Sequence, residues 1–206
     1  MVLKRYILTI LMTLLAVCPA GAQQIKPTEA LRKPLDKALV IMQDHRFRQP
    51  GEKKEQSDKL WELIRQAFDF EGITERAVGM NWKRFSPQQK NDFADTFTTL
   101  LGNSYINKIQ GKFHDTDKVN FLSEEILGGD KAIVKSMIVR EVDSFPVDYK
   151  VRALDGTWKI YDVNIEGVSL VQNYRAQFND ILSKDSPDVL IERVRAKNKA
   201  QEKENK

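Results

Sequence analysis

The sequence predicts an α+β fold in which helices pack on one face of a twisted four-stranded antiparallel sheet. Three observations support this prediction. Apolar residues recur at helical spacing between Pro27 and Gly111, alternate with polar residues between Val119 and Ile165, and return to helical spacing after Gly167. Short links separate the alternating segments, and two of them, Gly128-Gly129-Asp130 and Asp155-Gly156, are hairpin turns, so neighbouring strands should run antiparallel.

Four helices are predicted before the sheet. The first is amphipathic, extends from Pro27 to about His45, and is followed by a polar loop at residues 46–55. The second and third are shorter. The fourth begins at Ser86, with proline at the first helical position and Gln89 placed to close a capping box. Its apolar stripe comprises Phe93, Phe97, Leu100, Leu101, Tyr105 and Ile109.

The alternating region predicts four strands joined by tight turns. Val147, Tyr149 and Val151 should face an apolar interior, while the residues between them should face water. A one-residue error in strand phase would move each side chain to the other face. The predicted strands span residues 119–127, 131–140, 145–154 and 157–165.

The C-terminal region predicts two further helices. Gly167 ends the last strand, and Ser169 with Gln172 forms a second capping-box pattern. Ser186 starts the final helix, which becomes almost wholly charged from Glu192 onward. We therefore expect one domain over residues 23–190 and a charged tail, residues 191–206, that frays into solvent.

The first 22 residues have the pattern of a secretory signal peptide. Lys4 and Arg5 form a basic region, residues 6–17 are almost wholly apolar, and Ala20-Gly21-Ala22 supplies a cleavage site. The apolar run is shorter than the roughly 20 residues that a membrane span needs. We expect a soluble mature chain in the periplasm that begins at Gln23.

The single cysteine, Cys18, lies inside this signal. The mature chain then has no disulfide and must depend on a packed core. Residues 15–18 also resemble a lipoprotein signal, in which Cys18 would be acylated, but Val17 is bulky for the position before such a cysteine.

The charge balance argues against nucleic acid as a partner. The sequence has 33 basic and 29 acidic residues, and two of the bases lie in the signal. Nucleic-acid binding normally requires a clustered basic face, which this sequence does not predict.

Few residues point to catalysis or metal binding. The two histidines, His45 and His114, lie in polar segments without other ligands at metal-binding spacing. Asp162 and Glu166 could act as an acid–base pair, or could instead pair with bases at the strand end. The sequence therefore predicts neither a metal nor another cofactor, and indicates that the protein is not an enzyme.

Several segments resemble the MlaC family of periplasmic phospholipid-binding proteins, the toluene-tolerance auxiliary family. They are Phe68-Asp69-Phe70, Gly79 with Trp82, the start and stripe of the fourth helix, and above all WKIYDVNIEGVSLVQNYRAQF, residues 158–178. The resemblance covers roughly residues 27–190. It implies a cone similar to that of nuclear transport factor 2 (an NTF2-like cone), with an apolar cavity.

The resemblance also implies a function. The protein would be a monomeric carrier that shuttles glycerophospholipid between the outer-membrane MlaA–porin complex and the inner-membrane ABC transporter MlaFEDB, which it would meet through MlaD. The pathway maintains the lipid asymmetry of the outer membrane. Phospholipid would be cargo rather than cofactor, and residues 23–190 would be the phospholipid-binding domain.

A carrier of this kind needs a deep apolar cavity. Burying two acyl chains of roughly sixteen carbons is worth on the order of 25 kcal/mol gross, which the protein must largely match. The head group should stay in water, so we expect few head-group contacts and weak head-group selectivity. The predicted wall residues are Phe97, Leu101, Tyr105, Val147, Tyr149, Val151, Tyr161, Val163, Ile165, Leu170 and Tyr174.

Two alternatives remain open at the level of sequence. Cone-like folds of this type also host small enzymes, for which Asp162 is the candidate catalytic residue. A periplasmic lipoprotein chaperone would share the compartment and the apolar cavity, and would differ in carrying an acylated protein.

Overall fold

The computed structural model describes residues 25–204 and confirms the α+β prediction. The predicted signal peptide, residues 1–22, lies outside the described residues. Three short 3₁₀ segments connect the helices at His45–Arg48, Pro50–Glu52 and Gly79–Arg84. Within residues 25–204 the helices are α1 (Pro27–Gln43), α2 (Lys53–Ala67), α3 (Phe70–Val78), α4 (Pro87–Lys112), α5 (Leu170–Leu182) and α6 (Pro187–Glu204).

The sheet is antiparallel throughout, and its strands follow chain order from one edge to the other. The described chain contains five strands rather than the predicted four. The extra strand forms because the chain reverses at Glu166 and Gly167, both with positive φ, and pairs back on β4. The strands are β1 (Lys118–Gly128), β2 (Lys131–Val139), β3 (Ser144–Leu154), β4 (Thr157–Ile165) and β5 (Val168–Ser169).

The apolar face of the sheet follows the predicted alternation on β3. Tyr149 lies opposite Val163, whereas Val151 lies opposite Ile160. A bulge between these two pairs leaves Tyr161 as an extra residue without a direct partner on β3. The prediction that Tyr161 shares a face with Val163 is therefore wrong.

The start of α5 is held by a buried carboxylate. The Ser169 hydroxyl oxygen accepts a hydrogen bond from the Gln172 backbone N–H at 3.1 Å, as an N-cap. The same hydroxyl donates to Asp162 at 2.7 Å. Asp162 also accepts from the Val171 backbone N–H at 3.1 Å, so one side chain of β4 fixes both β5 and α5.

The apolar core is divided into two clusters. One lies among α3, α4, α5 and α6 and includes Phe93, Phe97 and Phe178. The other lies between α1 and the sheet and includes Val134 and Val151. Phe68 packs against both clusters. The division leaves space between the helices and the sheet.

The C-terminal segment was predicted to fray from Glu192 onward, but it remains helical. It continues α6 along α4, with Ile191 and Val194 buried in the helical cluster. Asn198 is buried and donates to the Thr96 carbonyl oxygen at 2.9 Å. The charged residues between these positions occupy the outer face of the helix, which is why the segment's composition is misleading.

Candidate functional site

An apolar cavity of about 570 Å³ lies between α1, the C-terminal half of α4 and the apolar face of the sheet. Every strand from β1 to β4 contributes to its wall, and the start of α5 closes one side. Its apolar lining residues are Leu35, Ala38, Leu39, Met42, Leu60, Phe68, Tyr105, Ile109, Phe113, Val119, Ile138, Phe145, Val147, Tyr149, Val163, Ile165 and Leu170.

A smaller void of about 70 Å³ lies behind this cavity, towards α2 and α3. Four residues border both spaces, so the void extends the same apolar region. Leu101 lines only the inner void. The four shared residues are Phe68, Tyr105, Val163 and Leu170.

The structure brings seven of the eleven predicted wall residues to these two spaces. On β3 the alternate residues Val147 and Tyr149 face the cavity as predicted, and on β4 the predicted phase holds only after the bulge, at Val163 and Ile165. The seven residues are Leu101, Tyr105, Val147, Tyr149, Val163, Ile165 and Leu170.

The other four predicted residues lie elsewhere. Phe97 and Tyr174 fill the helical cluster, with their ring centroids 4.9 Å apart. Val151 is fully buried in the cluster beneath α1. Tyr161 packs against α3, where the Arg76 guanidinium lies 4.5 Å from its ring centroid.

Sequence reasoning missed the contribution of α1. Its stripe of Leu35, Ala38, Leu39 and Met42 was identified as the apolar face of a helix, but not as part of a wall. Ile138 and Phe145 were missed in the same way, although both follow from the alternation of their strands.

Charged side chains surround one end of the cavity. The ends of α4, β2 and β4 and the start of β1 meet there. Arg140 Nε lies 3.3 Å from Asp117 Oδ2, and the Arg140 guanidinium covers the Phe145 ring at 4.8 Å. The charged lining residues are Lys108, Asp117, Lys118, Arg140, Asp143 and Glu166. An apolar interior with a charged end suits an amphiphilic ligand.

Two tyrosines of the site, and Tyr174 in the neighbouring helical cluster, are neutral at physiological pH. Burial raises the pKa of Tyr149, whose hydroxyl interacts with Ser136. Burial also raises the pKa of Tyr105 and raises that of Tyr174 to about 12. These residues supply apolar rings and neutral hydroxyls rather than charge.

Asp162, the candidate catalytic residue, is 4% exposed and fully engaged. Besides its bonds to Ser169 and Val171, it accepts from Lys150 Nζ at 3.1 Å. These contacts give Asp162 a structural role, in which it joins β4 to β5 and α5.

Within residues 25–204, no three His, Cys, Asp or Glu side chains are grouped as a metal site would require. None of the helices described is both long and apolar enough to cross a membrane.

The family model described as "MlaC protein" matches residues 32–196. The chain belongs to the MlaC family. One relative is the intermembrane phospholipid transport system binding protein MlaC of Haemophilus influenzae, which is 22% identical over 197 residues covering 91% of this chain and 89% of the relative.

A solved structure in the same fold is the phospholipid-binding protein from Ralstonia solanacearum in complex with a phospholipid. It is 22% identical, with a TM-score of 0.73, and the match covers 85% of this chain and 98% of that one. The MlaC-like block at residues 158–178 covers nearly all of β4, all of β5, and α5 as far as Phe178. That block supplies Val163, Ile165 and Leu170 to the cavity wall.

Proposed function

We propose that this MlaC-family protein carries a glycerophospholipid through the periplasm, with the acyl chains in the cavity. The observation that supports this best is the apolar cavity with charged groups at one end. The Haemophilus relative is named for intermembrane phospholipid transport, and the Ralstonia structure holds a phospholipid. The seven predicted residues that line the cavity and its inner void are the proposed contacts with the acyl chains.

The geometry favours a carrier over an enzyme of the same fold. The carboxylate proposed for catalysis, Asp162, accepts hydrogen bonds from Lys150, Ser169 and the Val171 backbone N–H. An apolar interior instead lowers the free energy of acyl chains that have left the bilayer, which is the main requirement of a carrier.

The proposed partners are those of the Mla system: the outer-membrane MlaA–porin complex and MlaD of the inner-membrane MlaFEDB transporter. The proposed mature chain follows a signal at residues 1–22 and acts as a monomer. Because α6 packs on α4 as far as Asn198, the proposed lipid-binding domain extends past residue 190.

Phospholipid transfer between two vesicle populations tests this proposal. Donor vesicles with a labelled phospholipid and acceptor vesicles would be separated by a membrane that passes the protein but not vesicles. We expect label to reach the acceptor only when the protein is present, and to be recovered as intact phospholipid. A cleaved product would support the enzyme alternative, and no transfer would contradict the carrier function.

A further inference from the structure

A second pocket, of about 410 Å³, lies beside the apolar cavity, between α4, α5 and α6. Its composition is the opposite of the cavity's, since every lining side chain carries a hydrogen-bonding group. The lining residues are Asn103, Ser104, Tyr105, Asn107, Lys108, Asn173, Tyr174, Gln177, Lys197 and Gln201.

The pocket is positively charged. Lys108 and Lys197 are its ionic residues, and no acid is among the lining residues. Neither Lys108 nor Lys197 forms an ion pair with a residue in the described part of the chain, where the lysines that do so are Lys54, Lys59, Lys150 and Lys184. The amides and hydroxyls around the two ammonium groups can bind phosphate oxygens and hydroxyl groups, whereas a ligand ammonium would meet no carboxylate here.

The polar pocket and the apolar cavity share a border. Tyr105 and Lys108 belong to both linings, and the Lys108 ammonium lies 5.5 Å from the centroid of the Tyr105 ring. The Tyr105 hydroxyl interacts with that of Tyr174 on the polar side. A ligand that crosses this border can keep an apolar part in the cavity and a polar part in the pocket.

Two lining side chains have unused hydrogen-bonding capacity. Asn103 Nδ2 and Gln201 Oε1 are buried and have no partner among the residues that the structure describes. Such groups are uncommon in folded proteins, and a bound polar ligand or water is one way of satisfying them.

We propose that this polar pocket binds the head group of the lipid cargo and favours a phosphodiester that bears hydroxyl groups over one that bears an ammonium. The inference rests on the proposed carrier function and revises the expectation of weak head-group selectivity. The shared chemistry, a hydroxylated phosphodiester, occurs both in phosphatidylglycerol and in free glycerophosphoglycerol, so the test must separate these two sources.

The test purifies the protein from the periplasm and measures two quantities by mass spectrometry: total phospholipid per protein and the ratio of phosphatidylglycerol to phosphatidylethanolamine. We expect this ratio to exceed that of the source membranes about two- to fivefold, the range that an exposed ionic contact supplies. Lys197→Gln should bring the ratio towards the membrane value. Lys199→Gln, an exposed lysine on the same helix outside the pocket, should not.

A second variant tests whether the positive charge of the pocket determines which head group it prefers. Gln177→Glu adds an acid to the lining at an exposed helical position, so it should lower the ratio below that of the unaltered protein without unfolding it. Circular dichroism and total phospholipid per protein serve as controls for folding and for the cavity.

The outcomes separate the two proposals. Protein without any phospholipid would contradict the carrier function itself. Bound phospholipid with the membrane ratio, unchanged by Lys197→Gln and Gln177→Glu, would overturn only the head-group pocket. Calorimetric titration of lipid-free protein with glycerophosphoglycerol completes the test. Tight binding of this soluble compound, together with an unchanged lipid ratio, would assign the pocket to a free ligand and overturn the head-group assignment.

Discussion

Tyr105 contacts three different environments with one side chain. It borders the main cavity, the inner void and the polar pocket. Its ring is suited to the apolar spaces and its hydroxyl to the polar one. Leu170 has the corresponding position on α5, where it borders the cavity and the void. The properties of the site depend on these few residues at the borders.

Leu170→Trp tests the cavity wall at the level of one residue. The larger side chain would fill space at the junction of the cavity and the void without adding charge. Overpacking costs about 1–3 kcal/mol, so we expect the affinity for phospholipid to fall about fivefold or more. The measurement is titration of delipidated protein with a fluorescent phospholipid.

Ile181→Trp is the matched control for this variant. Ile181 lies on the same helix and packs against the helical cluster, away from both spaces. It should lower stability while leaving phospholipid affinity unchanged. Equal affinities for the two variants would show that Leu170 does not contact the lipid.

Tyr174 gives a prediction about pH. Its pKa is raised to about 12 in the folded protein, mainly by burial, against an ordinary value of about 10. The folded state therefore retains the proton longer than the unfolded state does. The stability contributed by the neutral hydroxyl is complete below pH 10 and is lost as the pH rises towards 12.

Comparison with Tyr174→Phe isolates this effect, since the ring contacts with Phe97 and Phe178 are retained. At pH 8 the wild type should be more stable by about 1 kcal/mol, the usual net value of a hydrogen bond. At pH 11 the difference should be smaller. Urea unfolding at both pH values measures it, and a difference that does not change with pH would exclude the proposed cause.

At the level of elements, most of the fold could be predicted from the sequence because local signals were consistent. The capping box at Ser86 is present with both of its hydrogen bonds, and glycines with positive φ occupy the turns at Gly128 and Gly156. The bulge at Tyr161 was missed although the sequence carries a signal for it: the apolar alternation includes Trp158 and Ile160, then shifts by one residue to Val163 and Ile165. The pairing with β3 identifies Tyr161 as the extra residue.

Helix α6 was mispredicted for a different reason. The prediction relied on the average composition of the segment, which is dominated by the charged outer face of the helix. The packing of the helix depends instead on four buried residues that recur on one side: Leu190, Ile191, Val194 and Asn198. The spacing of apolar residues on one side of the helix therefore predicts its packing better than the fraction of charged residues does.

A truncation tests the role of α6. Ending the chain at Glu192 removes buried Val194 and the Asn198 hydrogen bond, so we expect a loss of about 2–4 kcal/mol in unfolding free energy. Ending it at Glu202 keeps Val194 and the Asn198 hydrogen bond and should have little effect. Urea denaturation of both proteins decides the point, and equal stabilities would support a frayed tail.

At the scale of the whole molecule, the main feature is a core divided into two clusters with a cavity between them. The sequence predicted both apolar surfaces but could not show that they stand apart, because periodicity is the same for a filled and a hollow interior. The separation depends on how α1, α4 and the sheet are placed relative to one another. This is why Phe97 and Leu101, one turn apart on α4, have different surroundings.

The carrier function is tested most directly by the lipid content of the protein as isolated. Protein expressed with its own signal would be purified from the periplasm without detergent, denatured and extracted, with an unrelated periplasmic protein as control. We predict intact glycerophospholipid in near-stoichiometric amount, reduced in Leu170→Trp and retained in Ile181→Trp. An empty extract from folded protein would show that the cavity does not hold lipid and would contradict the carrier function.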